Sequence, residues 1–109
     1  MTAPRFGAMP LVDAVYRICE LSEDHVLCAR EPLSWGAEAV IAEFAPGYQV
    51  PAGLEAAGFA YVLGQEEVRQ LVASAEGKRA SRNTVAELVC HYALLDSYPA
   101  WFSDLPQRT

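Results

Sequence analysis

A chain of 109 residues, 52% hydrophobic and 20% charged, has the size and composition of one folded domain, which excludes a disordered chain and argues against a second domain. Charge interrupts every apolar run, so no segment reads as a bilayer span, and Met1–Pro10 has one basic residue and no apolar stretch of the signal-peptide type. The net charge of −6 is lopsided, with ten acids against three bases in residues 1–67 and four acids against five bases in residues 68–109. An acidic front segment repels phosphate backbones and argues against nucleic-acid binding. Lys78, Arg79 and Arg82 remain as a small basic cluster, read as a solvated turn. The cysteines Cys19, Cys28 and Cys90 are odd in number and none falls in a Cys-x-x-Cys pair, so they read as buried free thiols of a cytoplasmic protein.

In chain order, Leu11, Val12, Val15, Ile18 and Cys19 recur at helical spacing after Pro10, predicting a first helix over about 10–20. A polar turn at Leu21–His25 leads into a strand at His25–Arg30, bounded by Pro32. A second strand is expected at Ala37–Phe44, joined to the first by a long hairpin loop containing Trp35 and Gly36. Pro46–Gly53 is a surface loop, Leu54–Gly58 one helical turn, and Phe59–Leu63 a third strand stopped by Gly64. Gln65–Glu76 is a helix with Val68, Leu71, Val72 and Ala75 inward and Glu66 and Glu67 at its positive end. Gly77 ends it, and Lys78–Asn83 is the connection. Thr84 and Glu87 form a capping box for the last helix. Its buried stripe is Val85, Leu88, Val89, Tyr92 and Leu95, and Pro99 stops it near Ser97.

The expected fold is therefore α+β, a small, mostly antiparallel three-stranded sheet with helices packed on one face, in the order α-β-β-β-α-α. A single domain over 10–104 is flanked by a flexible arm, 1–9, and a flexible tail, 105–109.

Candidate chemistry is thin. Cys90 and His91 are adjacent, but neighbours on a helix point about 100° apart and do not share a proton or metal. Cys19, Cys28, Cys90, His25 and His91 lack the spacing of a zinc site, and the single, scattered glycines make neither a phosphate loop nor a dinucleotide fingerprint. No cofactor, metal or catalytic residue is assigned. Glu23 and Asp24 read as a solvated turn. Asp96 differs, since it lies within reach of Tyr92, Tyr98, Trp101 and Phe102, where a carboxylate needs a hydrogen-bonding partner if buried.

Gly58–Leu63, Val68–Ala75, the last helix and Leu95-Asp-Ser-Tyr98 together give the chain a resemblance, over about 11–102, to a family of small uncharacterised bacterial α+β domains. These run from a short helix through strands to a Gly-aromatic strand and end on two helices with an Asp-small-aromatic motif. The resemblance implies no catalytic residues, and the chain departs from the family at Pro99-Ala-Trp-Phe102, which adds aromatic surface. In size and acidity it is also similar to bacterial toxin immunity proteins.

The expected function is non-catalytic protein binding, most concretely an immunity protein that neutralises a basic toxin domain through an acidic face. Trp35, Glu38, Glu43, Tyr48 and Glu55 are the candidate partner-binding residues, and Asp96, Tyr98, Trp101 and Phe102 a secondary cluster. Self-association stays open. The alternative is a small enzyme or ligand-binding domain with a pocket between the sheet and the last helix, lined by His25, Cys90, His91 and Asp96.

Overall fold

The computed structural model describes residues 7–108. Its elements are β1 (Met9–Pro10), α1 (Leu11–Ile18), β2 (His25–Ala29), β3 (Glu38–Glu43), α2 (Ala52–Ala56), β4 (Ala60–Gly64), α3 (Gln65–Glu76) and α4 (Arg82–Leu95), followed by a 3-10 turn at Ala100–Phe102. The class is α+β, as the alternation of strand and helix patterns implied. The sheet, however, has four strands, all antiparallel, in the order β1-β3-β2-β4. The added strand is Met9–Pro10, opposite Ala39 and Glu38. Two residues carry no period to detect, and a proline fits a strand only at an edge such as this one.

Residues α1 leaves unpaired at its start explain how the β2–β3 loop is held. Pro10 offers no side-chain cap, so the amides of Leu11 and Val12 donate to the carbonyls of Ala37 and Trp35 at 2.8 and 2.9 Å. The loop thereby fixes Trp35 against the helical layer.

Alternation along the strands sorts two cores. Leu27, Ala29, Ala39 and Ile41 face α1, α3 and α4, where Leu11, Val15, Ile18, Val68, Leu71, Leu88 and Val89 pack. Val26, Cys28 and Val40 face the other way, against Leu54 of α2 and Phe59. Helices on one face only was thus an incomplete expectation: α2 and its flanking chain cover the second face. The continuous apolar run Val26–Ala29, buried throughout, is what a strand covered on both sides requires. In β4, Leu63 lies opposite Leu27 and Tyr61 opposite Cys28, which leaves Val62 as an extra residue. This bulge turns both Val62 and Leu63 into the helical core and leaves Tyr61 exposed.

On the second face, Arg30 lies over the Phe59 ring at 4.2 Å and donates to the Ala57 carbonyl at 2.7 Å. It needs Gly58, which has φ +91° and where a Cβ would stand 2.5 Å from Arg30 Nη1.

The last helix starts one turn earlier than its Thr84–Glu87 pattern suggested. Ser81 is the N-cap, its Oγ accepting the Thr84 amide at 3.1 Å, so Thr84 lies inside the helix and Glu87 is released from any capping role. Both Ser-x-x-Thr and Thr-x-x-Glu are legible caps, and the earlier one gains a turn of helix. The inward residues are Val85, Ala86, Leu88, Val89 and Cys90, with Tyr92 only half-buried. Leu95, expected in that stripe, is exposed, because residue 95 ends the helix beyond the core. Gly77 has φ −80° rather than a left-handed cap, and α3 ends where Arg79 and Gly77 pair with the C-terminal segment. There Arg79 N donates to Pro106 O at 2.7 Å and Arg108 N to Gly77 O at 2.9 Å. Residues 105–108 of the expected free tail are therefore hydrogen-bonded, and Met9 of the expected free arm is paired. Residues 1–6 and 109 of those segments lie outside the described residues.

Candidate functional site

Glu87 connects the parts of the chain that present tryptophan. Its Oε1 accepts the backbone N–H of Trp35 at 3.1 Å, joining two positions far apart in sequence. Glu87 also shares an open recess of about 360 Å³ with Thr84 and Trp101. The chain after α4 doubles back to bring Trp101 there. It does so through Asp96, which sits left-handed at φ 54° and caps the helix by donating its amide to Tyr92 O at 2.8 Å. Tyr98 then packs edge-on against Tyr92 and Phe102 and its hydroxyl meets Ser74 Oγ at 2.8 Å. His91 Nδ1 lies 2.9 Å from the Ser97 carbonyl, which holds the same turn.

The result is an outward face on α4. Thr84, Glu87, His91 and Leu94 follow at helical spacing and so share one side of the helix. On or beside this face Trp35 is 46% exposed, Trp101 38% and Leu94 63%, each a large apolar side chain in contact with water, while Leu95, 64% exposed, stands beyond the core at the helix end. Glu87 is half-buried, and no cation among the described residues pairs with it. Its charge reaches into the core. Burial, and after it the Glu87 carboxylate, push the Cys90 thiol up to about 12.

The residues expected to form one acidic partner site do not form a single patch. Trp35 belongs to the α4 face. Glu38, at one end of β3, lies 3.4 Å from Arg30, and Glu55 is exposed on α2. Glu43, at the other end of β3 and 4.0 Å from His25, joins Asp24, Phe44 and Tyr48 around a second recess of about 280 Å³. Tyr48 is 75% exposed there, held at φ 58° in the turn closed by the Ala45–Gln49 pairing.

Of the secondary cluster, Tyr98 and Phe102 pack together while Trp101 turns to Glu87. Asp96 is exposed at the helix end and acts through its backbone, so the expected aromatic pocket around its carboxylate does not form. The alternative lining set also fails to converge. His25 stands at the end of the sheet, Cys90 is buried under α4, and His91 and Asp96 lie near the end of α4 on its exposed side. Burial raises the Cys28 thiol to about 11, with Glu55 adding to the rise, so neither buried thiol ionises near neutrality. The basic cluster is engaged internally: Lys78 lies over the Phe102 ring, and Arg82 over the Tyr16 ring and 3.5 Å from Asp13.

Sequence reasoning missed Glu87 and Leu94. The legible signal was Leu94-Leu95 itself, since two adjacent leucines point about 100° apart and one must leave a narrow buried stripe. No helix among the described residues is long and apolar enough to cross a membrane. Comparison with protein-family models, with characterised proteins and with solved structures finds no match.

Proposed function

We propose that this chain is a non-catalytic protein-binding domain that docks a basic protein through the outer face of α4, in the manner of an immunity protein neutralising a toxin domain. The observation that carries the proposal is that Glu87 ties the exposed Trp35 segment to the recess it shares with exposed Trp101, with exposed Leu94 further along the same side of α4. Tryptophan is the residue most often found at the energetic centre of protein interfaces, ringed by contacts that exclude water. Hydrogen bonds at Trp35 N–H and O and at Trp101 O hold the backbone that carries both tryptophans, so little backbone freedom is lost on binding, which favours affinity. The net charge of −6 supplies long-range attraction for a cationic partner. Asp24, Glu43 and Glu55, all exposed, contribute to that field from other surfaces and steer rather than anchor.

The test is recovery of the partner from the native cell with the tagged protein, followed by calorimetry on the purified pair. Trp35→Ala, Trp101→Ala and Leu94→Asp are each expected to weaken binding at least tenfold, roughly 1.4 kcal/mol or more for a central anchor. Glu43→Lys is expected to slow association alone. Full affinity in all three α4-face variants would refute the docking surface.

A further inference from the structure

The Glu87 recess has the chemistry to define one side chain of the partner. Three residues line it, the aromatic Trp101, the acidic Glu87 and the hydroxyl-bearing Thr84. The carboxylate is positioned before any ligand arrives, because Oε1 already accepts from Trp35 N–H at 3.1 Å, and no group among the described residues bonds to Oε2. Thr84 Oγ1 lies 2.9 Å from Ser81 Oγ, and a hydroxyl engaged on one side still has a lone pair to offer on the other. An aromatic wall beside an unpaired carboxylate attracts a cation twice, through the ring quadrupole and through the full charge. The recess is apolar enough to take a methylene stem and polar enough at two points to orient a flat head.

We infer that the recess between Thr84, Glu87 and Trp101 receives an arginine side chain of the partner protein. The guanidinium stacks on Trp101, gives one N–H to Glu87 Oε2 and directs another toward Thr84 Oγ1. A lysine ammonium fits less well, since it is a compact, strongly hydrated point charge that does not stack. The overall negative charge of the chain complements such a partner. This assignment rests on α4 as the docking face and adds to it the identity of the central anchor.

The probe is N-acetyl-arginine methylamide added to the intact chain and followed by NMR, with the lysine and citrulline derivatives as controls. The expected result is saturable movement of the Trp101 indole N–H and of the Thr84 and Glu87 amides, at millimolar probe as befits a single side chain. Lysine binds at least threefold more weakly, and citrulline, isosteric but neutral, leaves the signals in place. Glu87→Gln keeps the acceptor for Trp35 N–H and removes the charge, so it preserves the fold while weakening the arginine response at least fivefold. Absence of any response, an equal response to citrulline, or an undiminished response in Glu87→Gln overturns the arginine pocket. The probe reads the recess by itself, whereas the partner affinities of Trp35→Ala and Leu94→Asp read the surface, so the two proposals fail separately.

Discussion

Leu88 and Leu95 lie seven residues apart on one helix, and the fold gives them opposite fates. Leu88 is 1% exposed, packed between α4 and the helical core, whereas Leu95 stands in water at the helix end. Truncating Leu88 to alanine removes buried hydrocarbon worth about 2.5 kcal/mol at roughly 0.8 kcal/mol per carbon group. The space left behind adds about 1–2 kcal/mol, because α1, α3 and the sheet close on it only in part. The expected loss is therefore about 3.5–4.5 kcal/mol, against less than about 0.5 kcal/mol for Leu95→Ala. Urea unfolding followed by circular dichroism measures both. With a slope of roughly 1–3 kcal/mol per molar, the Leu88→Ala midpoint falls by more than about 1 M while the Leu95→Ala midpoint barely moves. Equal losses at the two positions, or a larger one at Leu95, would mean that the core extends to the end of α4 and that Leu95 is packed rather than exposed.

The cap assignment predicts that Ser81→Ala costs about 1 kcal/mol by the same unfolding assay, while Thr84→Ala, now inside the first turn, costs less. Gly58→Ala is expected to cost about 1–3 kcal/mol through its positive φ and the collision with Arg30, with Arg30→Ala relieving part of the second effect. Alkali tests the buried thiols: the folded-state pKa of Cys90 is raised from 9.0 to about 12, so the unfolded chain ionises first. The contribution is full below pH 9 and is lost as pH rises toward 12, and Cys90→Ala should flatten that part of the stability profile.

The helices α1 and α3, the β2–β3 hairpin and the third predicted strand were legible because each carries a period, a cap or a glycine stop of its own. β1 was not, since its two residues are a strand only because β3 offers them an edge. Coverage of both sheet faces was written in the unbroken apolar run Val26–Ala29 but was outweighed by the apparent alternation of the next strand. At the site, Trp35 and Trp101 were recognised as exposed aromatics from their loops. What joins them was hidden by a local ambiguity: Thr-x-x-Glu and Ser-x-x-Thr both cap helices, and the tertiary contact from Glu87 to Trp35 N–H appears in neither pattern. Acidic residues were legible as a count, yet Glu38, Glu43 and Glu55 part company once strand register and α2 are set.

Amide hydrogen exchange of the intact chain, with and without its purified partner, tests the docking face most directly. Protection gained at 34–36, along 84–95 and at 98–102 is the predicted footprint, with the Ala45–Gln49 turn unchanged. A footprint confined to that turn and the adjacent end of β3, leaving the Trp35 and Trp101 segments exchanging as before, would contradict it.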